Sequence, residues 1–571
     1  MKKLNFNLLV SDLIAVAKRF HIVLIAVFGL AAMALLEINV KRFEQEFNVW
    51  GFFILATIAS FPLTLFLENA KKKLTGILLL LITLAAIALY SFVFFNNKVE
   101  WEMMQFVTLV FVSLLSITFV LYLRKNTDIP FWNFTEKIGI QVIITLVYVS
   151  VLQGGLGLAI YAIDVLFNVK IENEVYGSLA VICYLVVAPV YFLMNVPTKD
   201  KLYDESPEYN QFLKILGLNV LLPILGLYLV ILYFYLIKII AIWELPDGWV
   251  TTLVSILALG GYLAKFLLYP IPENKVVRFL NRYFSVLLLP LIVLMSVGIA
   301  RRIDDYGISI NRLYVLIFNL WLYGASIYLF FTKSKHLRWL VVSFATILLL
   351  VSVGPWSVFS TTKRVVENDL TTLLTEYKLY QDNKLVDNKL NKIVLPDSIQ
   401  AEISDKVYYY ISNFGVENWK SVFNDNRKIS GAYQIAESLG VDNYVLNKKI
   451  RDVNASLSVK QVYDIKGYNT VISNLEIYPD STHVFTTADY KVEFVNQSIQ
   501  ISEPTKKSQI QIPIQPVVSD IYNNSENDKH SDKYLVQKSD RYMLLIHSIS
   551  AECKSSTDFK IRQMNFTLYL K

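Results

Sequence analysis

Eleven runs of about 20 mostly apolar residues follow one another between residues 22 and 356, separated by short charged connections. A helix needs about 20 such residues to cross ~30 Å of hydrocarbon, because its backbone polar groups must be satisfied internally. The runs fall at about 22–38, 50–68, 74–95, 103–123, 138–166, 177–196, 215–243, 249–270, 283–300, 313–332 and 339–356. The fifth and seventh, about 29 residues long, must tilt, kink or extend past the bilayer. Gln153-Gly154-Gly155 is where the fifth would break, if it breaks at all, and the small residues Gly154, Gly155 and Gly157 suit a close helix–helix contact. Pro223 is expected to kink the seventh run, and Pro62, Pro189 and Pro290 interrupt others in the same way.

Charge separates the chain into two parts. Residues 1–356 hold 28 Lys and Arg against 21 Asp and Glu, whereas residues 357–571 hold 26 of each. The basic excess therefore lies wholly in the membrane part, with no Lys/Arg block of the kind that binds nucleic acid in the rest. Placing the N-terminus in the cytoplasm gives the inner loops 19 cations, at least three in each, and the outer loops seven: Lys41, Arg42, Lys98, Lys170, Arg301, Arg302 and Arg312. Such an asymmetry fixes orientation. Eleven crossings from inside then end outside, so the C-terminal part is expected to be periplasmic and the chain to sit in a bacterial inner membrane. Residues 4–20 read as a short amphipathic helix at the cytoplasmic interface. Lys238 and Lys265, near the ends of their spans, are expected to snorkel. With only Cys183 and Cys553, no intrachain disulfide is plausible.

The expected fold class is an α-helical polytopic membrane bundle of about 11 helices followed by a C-terminal α+β soluble domain with a β-sandwich or barrel-like part. The expected boundaries are 1–356 for the transmembrane domain, 357–456 for a helical connector and 457–571 for a β-rich extracytoplasmic module. Val366, Leu370, Leu373, Leu374 and Tyr377 form a helical stripe. A second helix starts near Ser398 and ends before Gly415, and a third runs from about Ser430 through Ile435 and Leu439 to Gly440. From about 457 the period becomes two: Tyr490/Val492/Phe494, Ile510/Ile512/Ile514 and Phe566/Leu568/Leu570 alternate with polar residues. The polar stretch Ser519–Lys533 reads as a loop.

Three stretches carry a family resemblance: Trp243-Glu244-Leu245-Pro246-Asp247-Gly248-Trp249, Arg302-Ile303-Asp304-Asp305-Tyr306-Gly307-Ile308-Ser309-Ile310-Asn311-Arg312, and Gly354-Pro355-Trp356-Ser357. With the turn Asp464-Ile465-Lys466-Gly467-Tyr468-Asn469, they resemble domain of unknown function 4153, polytopic membrane proteins of Bacteroidetes-like bacteria. The resemblance implies this architecture and supplies no activity.

Candidate functional positions come from charges that break the membrane pattern. Arg301, Arg302, Asp304, Asp305 and Tyr306 could bind an anionic head group or a polyprenyl phosphate at the outer leaflet; alternatively the stretch Arg301–Arg312 is an ion-paired loop capping the tenth helix. Asp164 and Lys238, toward the outer ends of the fifth and seventh spans, could pair, mark a polar cavity, or each reach the interface. Asn219 and Asn319 suit interhelical hydrogen bonds. Glu44-Gln45-Glu46 in the first outer loop is similar to the acidic pair of C-type membrane glycosyltransferases; equally, Glu44 and Glu46 are a chance pair in a short loop. Five scattered histidines and the absence of any phosphate loop or nucleophile elbow leave no metal site, cofactor or catalytic residue to assign.

Three functions fit these features. The first is a non-catalytic envelope anchor, sensor or scaffold whose outer module binds an envelope protein, glycan or lipid. The second is a transporter or lipid flippase, and the third a glycosyltransferase-like enzyme at the outer face. The partners expected are the lipid bilayer and one such envelope component, with no nucleic acid.

Overall fold

The structure is a computed structural model; it describes residues 6–40, 47–69, 73–95, 99–123, 128–198, 209–242, 249–381, 384–385, 393, 395–416, 435, 439, 451–456, 465–477, 484–486, 489–495, 497–503, 508–524, 535–553 and 559–571. The chain divides into two units, one of Met1–Asp369 with Ser412–Asn418, the other of Leu370–Ile411 with Trp419–Lys571.

Among its described residues, the regular secondary structure of the first unit is helical. After α1 (Phe6–Arg19), the helices are α2 (His21–Asn39), α3 (Phe47–Asn69), α4 (Lys73–Leu89), α5 (Glu100–Phe119), α6 (Asp128–Phe167), α7 (Asn173–Val181), α8 (Ala188–Met194), α9 (Gln211–Ile215), α10 (Leu222–Ile242), α11 (Trp249–Leu267), α12 (Lys275–Tyr306), α13 (Ile310–Phe331) and α14 (Arg338–Ser352). Among the described residues, ten helical segments are long and apolar enough to cross a membrane, which makes the chain a multi-pass membrane protein; α7–α8 and α9–α10 each form one of them. The eleventh expected span is shorter than its apolar run. It forms the 15-residue α14, about 22 Å long, and then unwinds.

Proline acts in two ways here. Pro189 and Pro223 each follow a π-helical turn, Ile182–Val187 and Leu216–Leu221, which joins α7 to α8 and α9 to α10. A proline has no N–H for the carbonyl four residues back, Leu185 or Asn219, and the wider turn absorbs that vacancy in the ladder. Pro62 and Pro290 instead lie inside continuous α3 and α12. No break occurs at Gln153-Gly154-Gly155, because α6 runs unbroken for 40 residues. Its first third is buried through Phe131, Trp132, Phe134 and Ile138, whereas much of its later course is exposed.

The two larger of its apolar clusters among the described residues organise this unit. One gathers Phe20, Leu65, Tyr122, Phe134 and Leu193 from the N-terminal helices. The other gathers Val254, Leu257, Leu288, Met295, Leu322 and Leu329 from α11, α12 and α13. The start of α6 reaches from the first to the second: Trp132 donates its indole N–H to Phe266 O at 2.7 Å.

Helix α15 (Val358–Glu376) carries the predicted stripe and is followed by the hairpin β1 (Tyr380–Gln381) and β2 (Lys384–Leu385), then by α16 (Asp397–Phe414), which stops at Gly415 with φ +82°. Of the third expected helix, only Ile435 and Leu439 are among the described residues, both buried. The strands are β3 (Arg451–Ser456), β4 (Thr470–Ile477), β5 (Val484–Thr486), β6 (Lys491–Val495), β7 (Ser498–Glu503), β8 (Ser508–Pro513), β9 (Val536–Lys538), β10 (Tyr542–Cys553) and β11 (Phe559–Leu570). One antiparallel sheet has the order β3-β10-β11-β4, with β9 also paired to β10; the other has the order β5-β6-β7-β8. Both sheets feed one core, in which Ile499, Ile501 and Ile512 meet Leu544, Ile546, Phe566 and Leu568. The fold class is therefore a membrane bundle with a β-rich antiparallel part.

The expected loop Ser519–Lys533 is corrected at its start. Ser519–Asn524 is the second half of a helix, α17 (Gln515–Asn524), which buries Val517, Val518 and Ile521 on one face. Residues 525–533 lie outside the described ones.

Candidate functional site

The turn Thr332–Leu337 between α13 and α14 carries the densest backbone strain among the described residues. Lys333, Ser334 and His336 have φ of +54°, +60° and +56°. Left-handed non-glycine residues cost on the order of 1–3 kcal/mol each and persist only where their surroundings hold them.

The holding contacts are polar and come from distant elements. Lys265, on α11, is only 1% exposed. Its Nζ donates to Ser334 Oγ at 2.8 Å, to Ser285 Oγ at 3.1 Å and to Asn281 O at 3.4 Å. Ser334 donates in turn to Asn281 O at 2.9 Å. The expectation that Lys265 snorkels is thus overturned: an apolar stripe of α11, Val254, Leu257, Ala258 and Gly261, points inward and carries the lysine with it. Its three hydrogen-bond partners are neutral oxygens, and among the described residues no carboxylate forms an ion pair with it.

A second tie sits beside the first. His336 Nδ1 lies 2.7 Å from Asp128 Oδ2, at the first turn of α6, where the helix N-terminus favours a carboxylate. The Tyr269 hydroxyl faces the same carboxylate. Tyr209 donates to Leu267 O at 2.9 Å, capping a carbonyl at the end of α11. Its phenol is pushed up to about 12 by burial and then by the negative charge of Glu136. One end of the bundle is therefore laced by side chains from α6, α11, α12 and the α13–α14 turn.

Next to this turn, α13 and α14 enclose an apolar groove of about 620 Å³ lined by Trp321, Gly324, Tyr328, Trp339, Leu340 and Ser343. Trp321 donates to Ser343 Oγ at 3.1 Å, so these polar groups satisfy one another. The Arg338 guanidinium stands 5.6 Å from the Trp339 ring.

The predicted positions are dispersed. Arg301, Arg302, Asp304, Asp305 and Tyr306 form the exposed last turns of α12, not a loop, and the connection is only Gly307–Ser309. Arg301 pairs with Asp305 at 3.4 Å. Arg312 donates to Tyr306 O at 2.9 Å and Gly307 O at 2.8 Å, and Ser309 caps α13. Asp164 is half-buried on α6 and Lys238 exposed on α10, with no ion pair between them among the described residues. Glu44 and Glu46 lie outside the described residues. Asn319 does join helices, donating to Ile292 O at 3.2 Å and accepting from Ser296 Oγ at 2.8 Å; Asn219 is exposed. A Cβ placed on Gly154, Gly155 or Gly157 would meet nothing within 4 Å, so no described helix of the chain packs closely there.

Two of the signature stretches turn out to be helix-ending devices. Gly307 closes α12 at φ +73°, and Gly354, at φ +92°, lets Trp356 fold back to donate to Leu350 O at 2.8 Å. The model of the family described as Domain of unknown function (DUF4153) matches residues 22–388, which contain both. The chain belongs to the DUF4153 family. Trp243–Gly248 in the remaining stretch are outside the described residues, and the turn Asp464–Asn469 lies beyond the matched region. One relative of this DUF4153 chain, Uncharacterized protein PM1469 of Pasteurella multocida (strain Pm70), is 22% identical over 396 residues, 67% of this chain and 62% of that protein. The chain thus spans less than two thirds of that relative's length. No solved structure matches the chain.

Proposed function

We propose that this DUF4153 protein is a non-catalytic anchor and sensor of the bacterial inner membrane, with its N-terminus in the cytoplasm and its β-rich unit binding an envelope component outside. The observation that supports this reading is how three pairs of buried or partly buried polar side chains in the membrane unit are used. Lys265 binds Ser285 and Ser334, Asn319 binds Ser296, and Arg19 binds Glu68 at 2.7 Å, each tying one helical element to another. Side chains committed to one another in this way build a rigid frame, not a lined passage. The orientation rests on the 19 cations of the inner loops against seven on the other side.

Fusions in living cells test both parts. A fluorescent protein joined after Lys335 should fluoresce, and alkaline phosphatase joined after Lys571 should be active; an inactive phosphatase with a fluorescent C-terminal fusion reverses the orientation. Photo-crosslinkers at the exposed Tyr408 and Phe485 should capture an envelope protein or glycan. Crosslinks confined to the chain itself would defeat the binding role.

A transporter or flippase is the second reading, favoured by the π-helical turns Ile182–Val187 and Leu216–Leu221 inside two spans. It predicts movement of a fluorescent lipid or solute across vesicles holding the purified chain. Glu44 and Glu46, on which the glycosyltransferase-like reading rests, lie outside the described residues.

A further inference from the structure

We propose that the α13–α14 groove and the turn joining these helices form a binding site for one anionic phospholipid of the surrounding bilayer, with an acyl chain along the groove and the phosphate on the turn. The groove volume of about 620 Å³ falls in the ~300–1,000 Å³ range of ligand sites. Its floor is Gly324, where a Cβ would meet nothing within 4 Å, and its polar atoms at Trp321 and Ser343 already bind each other. What the groove offers is apolar surface. Tyr328 and Trp339 stand at the end nearer the turn, the amphipathic rings that favour the level of lipid head groups.

Charge identifies the head group. Lys333 and Lys335 are exposed on the turn, whereas Arg338, at the start of α14, is buried beside Asp128. The carboxylate facing this turn among the described residues is Asp128, which has His336 Nδ1 2.7 Å away and the charge of Arg338 nearby to offset it. The local balance is therefore positive, and a phosphate without a compensating cation complements it better than a zwitterion does. Lys333 holds a left-handed backbone that glycine would adopt without strain, and the buried Lys265–Ser334 bond keeps the turn in that form. The lysines are thereby presented in one fixed arrangement beside the groove.

Native mass spectrometry of the full chain in detergent, titrated with phosphatidylglycerol and phosphatidylcholine of identical chains, tests the site. Two surface cations should favour retained phosphatidylglycerol by roughly thirtyfold, while an excess below about twofold overturns the proposal. Lys333→Asn with Lys335→Gln, asparagine being tolerant of left-handed backbone, should abolish that excess and leave phosphatidylcholine unchanged. Gly324→Trp, which projects into the groove, should lower retention of both lipids. A phosphatidylglycerol excess that survives the lysine changes also overturns the proposal; so does unaltered retention in a folded Gly324→Trp chain. If Gly324→Trp does not fold, the exposed lysine pair alone decides.

Discussion

Lys265 Nζ and Ser334 Oγ lie 2.8 Å apart although 69 positions separate them in the sequence, and this bond joins α11 to the turn between α13 and α14. Through Ser285 the same amine reaches α12. A single side chain thus ties three elements of the second core.

Replacing Lys265 separates its packing from its hydrogen bonds. Lys265→Ala removes both the aliphatic stem and the amine, and should cost about 2–5 kcal/mol, as large-to-small core changes do. Lys265→Met keeps the stem and removes the need to bury the polar end, so its cost should stay within about 1 kcal/mol. Thermal unfolding of both variants in detergent checks this; an alanine variant as stable as the parent would show that the knot carries no stability.

Tyr209 gives the alkaline limit. Its pKa is raised from the usual 10.0 to about 12, by burial first and the Glu136 carboxylate second. The folded chain holds this proton more tightly than the unfolded chain. The associated stability is therefore complete below pH 10 and is lost as pH rises through about 12. Tyr209→Phe should flatten the fall in unfolding temperature between pH 10 and 12, and should cost about 0.5–1.5 kcal/mol below pH 10, where the phenol still donates to Leu267 O. Parallel curves for the two proteins would contradict the assignment.

Glycines of different backbone should respond oppositely to a methyl group. Gly307 ends α12 at φ +73° and ψ −172°, a region open almost only to glycine, so Gly307→Ala should cost on the order of 1–3 kcal/mol. Gly226 lies inside α10 with nothing within 4 Å of an added Cβ, so Gly226→Ala should stabilise by up to about 1 kcal/mol. Unfolding temperatures shifting the same way in both would refute the distinction.

Much of the fold was legible because each part has one dominant constraint. The apolar runs at 22–38 or 313–332 had to become α2 and α13, since a bilayer leaves their backbone no external partner. The alternation at Val492, Ile512 and Leu568 marked β6, β8 and β11 for the same kind of reason. α17 escaped because Ser519, Asp520 and Asn523 obscure the inward stripe Val517, Val518 and Ile521. The site was harder to see. Lys265 was recoverable from the buried stripe of α11, but the rule that charges snorkel outweighed it. Asp128 and His336 meet only through tertiary packing, which no local pattern encodes. Likewise Gly154 offered a close contact, and whether a helix would arrive there depended on the rest of the bundle.

Gly261 provides the last test, because it lies on the buried face of α11 one turn before Lys265. A Cβ there would overlap the ring of Phe284, which is itself buried in the second core. Overpacking of this kind costs about 1–3 kcal/mol, so Gly261→Ala should lower the unfolding temperature measurably. The Phe284 ring stands 5.8 Å from Lys265 Nζ, and a displaced ring presses on the amine and its two serines. Methionine at 265 is flexible and makes no directional bonds, so it should accommodate the shift. The double variant Gly261→Ala with Lys265→Met should therefore lose less stability than the two single losses added together, with a coupling of at least about 0.5 kcal/mol. Strict additivity would mean that Phe284 relaxes away from the knot and that glycine at 261 serves helix packing alone.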